Sequence, residues 1–205
     1  RSVEGDDSDG ESGVAAVRLA PDGDTEWRTK LPDIDEPSRS ERVTDVAPAH
    51  DTGVVLAGGS NSGNADEENF DAWAAHLGAD GDVAWQRQYD SEGRTFVGSV
   101  VRTANNYLLT GGQLVRERGQ EVSAGTLSRI DTDGTEQVTS VVRPNGNARV
   151  TIRAAEWLGD GRLAVGGTTV VGGDSSETQA EGWVDAATTL PARTDPGPSV
   201  WETQH

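Results

Sequence analysis

Cysteine is absent from the 205 residues, which excludes disulfides and any metal or nucleophile site that needs a thiolate. Lysine is nearly absent, since Lys30 is the only one, and positive charge rests on arginine. Apolar side chains make up only 33% of the chain, so any core must be thin and spread along the fold. No run approaches the ~20 apolar residues of a membrane-crossing helix. Basic residues are outnumbered 35 to 17, giving a net charge of −18, and such a surface opposes binding to nucleic acid phosphates and anionic membranes. Helical periodicity is also missing. Aromatics are few, but six are Trp against two Phe and two Tyr, so Trp is expected to supply the large anchors of a thin core.

What is there is a repeat. Asp-Gly pairs stand at Asp22-Gly23, Asp80-Gly81 and Asp133-Gly134, with gaps of 58 and 53 residues. Gly-Gly pairs stand at Gly58-Gly59, Gly111-Gly112 and Gly166-Gly167, with gaps of 53 and 55. Strand-type segments lie between them, and a period near fifty residues with such content indicates a repeated β unit, most often a propeller blade.

In the clearest copy Ala72–Leu77 alternates as a half-buried strand, Ala79-Asp80-Gly81-Asp82 turns, and Val83–Tyr89 runs back. Phe96–Arg102 forms a third strand, and Asn105-Asn106 suits a type I′ turn. Tyr107–Thr110 forms a fourth, ended by Gly111-Gly112. The other copies keep this grammar, and a degenerate one begins at Gly182–Ala187 with a further strand at Ser199–Thr203, giving about fourteen strands. Residues 1–12 are acidic and Gly/Ser-rich and read as a flexible tail. The segments 32–42, 60–69, 115–122 and 172–180 are expected as inserted loops.

Two stretches share a strand, a Gly turn and a Trp four residues after the Gly: Val17–Trp27, with Gly23, and Ala75–Trp85, with Gly81. This resembles the tryptophan-docking repeat of PQQ-like β-propellers, in which the Trp of one blade packs on the next. The resemblance implies blade docking by Trp27, Trp85 and, after Gly197, Trp201. Val138 takes the Trp position in the third copy, so docking there is expected to be weaker. The blade order of that family implies a half blade at 14–31 and blades at about 43–89, 96–142 and 150–203. The expected fold is therefore all-β: a propeller of four-stranded antiparallel blades, about three and a half of them, in one domain at 13–205. A ring needs whole blades, so either upstream residues or a partner supplies the missing half, and two copies would sum to seven. The acidic, lysine-poor, cysteine-free composition resembles proteins of salt-loving archaea, and the start at Arg1 is expected to be processed or trimmed.

Enzymes of the PQQ-like family hold their cofactor on a calcium-centred site, commonly with catalytic acids. No such constellation can be placed here, so no catalytic or cofactor-binding residue is assigned. The acidic pairs Asp22/Asp24, Asp80/Asp82 and Asp131/Asp133 resemble the opening of calcium loops, but Asp-Gly is also what a tight hairpin turn needs. The turn reading is favoured, with calcium as its alternative. His50, His76 and His205 are scattered, and His76 replaces Arg18 and Arg129 at one strand position, so a solvated face is expected for it.

The sequence as a whole reads as a non-catalytic, extracytoplasmic propeller scaffold or recognition module adapted to high salt, secreted or surface-anchored, with a protein or surface glycan as partner. The alternatives are an extracytoplasmic propeller enzyme of the PQQ-like or carbohydrate-active type, and a structural protein whose half blade is completed in a homodimer.

Overall fold

The computed structural model describes residues 13–33, 40–61, 70–89, 94–117, 120–142, 148–159, 161–172 and 178–188. The expected tail, Trp201 and the expected strand at 199–203 lie outside these residues. The fold is all-β, and its described residues form thirteen strands in four antiparallel sheets. The first sheet pairs β1 (Ala15–Leu19) with β2 (Thr25–Lys30). The second runs β3 (Ser40–Pro48), β4 (Val54–Asn61), β5 (Phe70–Leu77), β6 (Val83–Tyr89). The third runs β7 (Arg94–Arg102), β8 (Tyr107–Glu117), β9 (Gln120–Ile130), β10 (Glu136–Val142). The fourth runs β11 (Ala148–Gly159), β12 (Arg162–Gly172), β13 (Thr178–Thr188). Each strand pairs with its neighbour in sequence, the simplest order that short hairpin connections permit.

The Asp-Gly marks build one kind of turn three times. Gly23, Gly81 and Gly134 have φ of 93°, 88° and 77°, the left-handed region that glycine enters without steric cost. Their N–H groups donate back to the carbonyls of Ala20, Gly78 and Asp131, at 2.9, 3.0 and 3.1 Å. A three-residue loop closed in this way, with glycine last, is a favoured hairpin connection.

The Gly-Gly marks lie beside bulges and permit close backbone packing, as glycine pairs in a strand suggest. Instead of ending strands they lie inside β4, β8 and β12, which run on to Asn61, Glu117 and Gly172. Opposite each pair the partner strand carries one extra residue. Between Val43 and Asp45, Val97 and Ser99, and Ile152 and Ala154 the register shifts, leaving Thr44, Gly98 and Arg153 as bulges. The bulge pushes its strand's backbone against the partner. A Cβ on Gly58 would collide with the carbonyl of Arg42, and one on Gly111 with that of Phe96. The glycines thus let the ladder continue past a bulge. For the same reason 115–122 is not a loop: β8 and β9 pair as far as Glu117 and Gln120.

The sheets stack in sequence order, with one apolar layer between each pair. Val14, Leu31, Leu56, Trp73, Ala75 and Leu77 fill the space between the first and second sheets. Val55, Ala57, Ala72, Ala74, Val97, Tyr107, Leu109 and others fill that between the second and third. Val101, Leu108, Leu127, Ile152, Leu163 and Val165 lie between the third and fourth. Alternate residues of β4, β5 and β8 therefore serve opposite layers: Val55 and Ala57 on one side, Leu56 on the other. Trp73 is the largest fully buried side chain. The strands that open the sheets lie together, β7 packing against β3 on one side and β11 on the other.

Candidate functional site

The sheets are joined by a contact that repeats. Trp27 on β2 stands against the turn between β5 and β6, its Nε1 donating to the Ala79 carbonyl at 2.9 Å. Arg18 Nη1 donates to the same oxygen at 3.1 Å, and Thr29 Oγ1 donates to the Gly81 carbonyl at 2.7 Å. One sheet further on, Trp85 on β6 meets the turn between β9 and β10. Its Nε1 donates to the Thr132 carbonyl at 2.7 Å, and Tyr89 Oη donates to the Gly134 carbonyl at 3.0 Å. A Cβ at Gly81 or Gly134 would lie within 3 Å of the indole of Trp27 or Trp85, so each indole rests on a turn glycine. Val138 on β10 pairs with Arg129 on β9, as Trp27 does with Arg18 and Trp85 with His76. The chain after β13 that it would meet lies outside the described residues.

The acidic pairs sit in these turns. Asp22, Asp80 and Asp131 each accept, on Oδ1, the backbone N–H two residues on: Asp24 at 3.1 Å, Asp82 at 3.2 Å and Asp133 at 3.0 Å. Asp131 also accepts from the Thr135 N–H at 2.8 Å and, on Oδ2, from Gln137 Nε2 at 2.8 Å. These carboxylates order the turn backbone, as short acidic side chains do. Among the described residues no three His, Asp or Glu side chains gather in a metal-holding group.

His76 is not on a solvated face. It is buried and its Nε2 stands 3.1 Å from Asp51 Oδ1, with its ring tilted against Trp85 at 6.0 Å. The reason is tertiary: at this strand position its neighbour is the Asp51–Gly53 turn between β3 and β4, which packs across β5. The Gly53 N–H beside Asp51 holds its carboxyl below the usual carboxylate range against the opposing effect of desolvation, with His76 adding to the lowering. His50 lies beyond the same strand pair, its N–H donating to Tyr107 Oη at 2.8 Å. His205 lies outside the described residues.

The bulges border a concavity. A cleft of about 510 Å3 is lined by Thr44, Gly98 and Arg153, the three bulge residues, together with Arg42, Arg94, Phe96 and Leu114. A bulge bends its strand and re-aims a side chain, and here it turns one residue of each opening strand toward a shared space. The close packing is visible at Gly98, where a Cβ would stand 2.6 Å from the Ile152 carbonyl. Gly59 also lines the cleft. Three arginines are among its lining residues, and none of the described ones is acidic. Sequence reasoning missed these arginines, because nothing in the linear spacing of 42, 94 and 153 brings them together. The usable signal was the Gly-Gly pair, which marks a bulge on the strand opposite.

Against known proteins, the chain matches no protein-family model and no curated protein.

Proposed function

We propose that the four sheets are successive blades of a β-propeller of the tryptophan-docking, PQQ-like type, serving as a non-catalytic extracytoplasmic scaffold or recognition module adapted to high salt. The observation that carries this reading is the repeated contact of Trp27 and Trp85 with the Asp-Gly turn of the following sheet. A propeller is built by one blade-to-blade contact used over and over, with the opening strands nearest its axis. The adjacency of β3, β7 and β11 supports that placement, and a cleft on those strands is where a propeller presents a ligand site. The acidic surface supports the high-salt part. Electron-microscopic class averages of the particle are expected to show a ring with a central channel. An open stack of sheets would overturn the reading.

A second reading rests on the first sheet. Leu19 on β1 is 59% exposed, whereas Leu77 and Ile130, at the same position of β5 and β9, are fully buried. Those two strands have a neighbour on each side, and β1 pairs on one side only among the described residues. An edge of this kind accepts an added strand, and a second copy completing the sheet supplies it. Light scattering of the purified chain is then expected to give twice 21.5 kDa. A monomer would remove this reading and leave the first standing.

A further inference from the structure

We propose that the cleft on the bulged strands binds a small organic oxyanion, a carboxylate or a phosphate ester, through Arg42, Arg94 and Arg153. The repeat does not demand Arg42 or Arg153. Positions that hold this fold together recur from sheet to sheet, as the turn glycines and the docking tryptophans do. Counted from the bulge, Arg153 stands where the other sheets have Thr44 and Gly98. Arg42 corresponds to Phe96 and Thr151, and Arg94 to Ser40 and Arg149. Three different positions on three sheets have each placed an arginine on one cleft.

They do so in a chain with 17 basic residues against 35 acidic ones, where chance favours carboxylates at any exposed spot. The planar guanidinium fork matches carboxylate and phosphate oxygens in pairs, which an ammonium does not. The rest of the lining argues for an organic ligand: Phe96, Val97 and Leu114 give it apolar wall. Its volume of about 510 Å3 lies within the ~300–1,000 Å3 of small-molecule sites. The net negative charge slows an anion's approach through the long-range field. Contact-range pairing inside the cleft survives salt that screens that field. None of this depends on how many sheets there are or whether they close.

The test is calorimetric titration of the intact chain at fixed ionic strength, with citrate and glycerol 3-phosphate as probes. Inorganic phosphate and glucose are the comparisons. One probe is expected to bind with 1:1 stoichiometry, at least tenfold tighter than inorganic phosphate, and the probe that binds identifies the oxyanion. Arg153→Gln and Arg94→Gln are each expected to weaken it at least tenfold, Arg153→Lys less, and Arg28→Gln on the first sheet not at all. Arg153 is exposed, so its variants keep the parent melting temperature. Absence of binding by both probes would overturn the proposal, as would binding that Arg153→Gln and Arg153→Lys leave unchanged. A particle that forms no ring yet binds citrate separates this inference from the propeller reading.

Discussion

Single side chains help to hold neighbouring sheets together. Trp85 contributes an apolar ring and one N–H to the turn of the third sheet. Trp85→Phe keeps most of the ring and loses the hydrogen bond, which is expected to cost about 1 kcal/mol in urea denaturation. Trp85→Ala removes both and is expected to cost about 3 kcal/mol. Two glycines separate crowding from backbone strain. Gly23 has φ of +93° with open space around it, so Gly23→Ala is expected to cost about 1 kcal/mol from strain alone. Gly111 faces the Phe96 carbonyl, so Gly111→Ala must displace backbone and is expected to cost more than about 2 kcal/mol in the same measurement. Equal costs would show that the bulge gives way. Asp51 sets an acid limit. Its folded pKa lies below the unfolded value, so its contribution is present above the ordinary carboxylate range and fades as pH falls through the folded value. The stability difference between the parent and Asp51→Asn is therefore expected to shrink between pH 5 and pH 2, and a constant difference would contradict it.

Elements were legible where local chemistry specifies them. Val83–Tyr89 is the strand that its alternation predicts, and the Asp-Gly turns form where spacing places them. Strand ends were less legible. Glycine pairs look like terminators because glycine lacks strand propensity, yet here a cross-strand bulge demands them inside the ladder. That demand comes from Arg42 and Phe96 on another strand, so the glycine pair signals a bulge without showing that the strand runs on. The third turn gives an element-scale prediction. Asp131 holds two backbone N–H groups and Gln137, so Asp131→Ala is expected to lower stability by about 1–2 kcal/mol in urea denaturation, more than the same change at Asp22, which holds one.

At the scale of the molecule, charge and layering set the behaviour. Thin layers of Ala, Val and Leu between sheets, with Trp73 as their largest member, hold a surface carrying −18. That charge repels itself, and the repulsion reaches about 10 Å at 0.1 M salt but only about 3 Å at 1 M. The melting temperature is therefore expected to rise between 0.1 and 2 M potassium chloride in a calorimetric scan. A fall, or no change, would remove the high-salt part of the proposed function. The candidate cleft also belongs to this scale. Arg42, Arg94 and Arg153 are each unremarkable on their own strands and become a site only when three sheets stack with their opening strands together.

The sequence by itself determined the all-β class, the core of most described strands, the turn chemistry of Asp22, Asp80 and Asp133 with their glycines, and which tryptophans recur at fixed spacing. Each of these follows from alternation or from the φ that a residue permits, both local properties. Only the tertiary structure decided which turn carbonyls Trp27 and Trp85 reach, that His76 is buried beside Asp51, and that three arginines line one cleft. Those depend on register and on which faces stack, and one bulged residue shifts both without leaving a mark on its own strand.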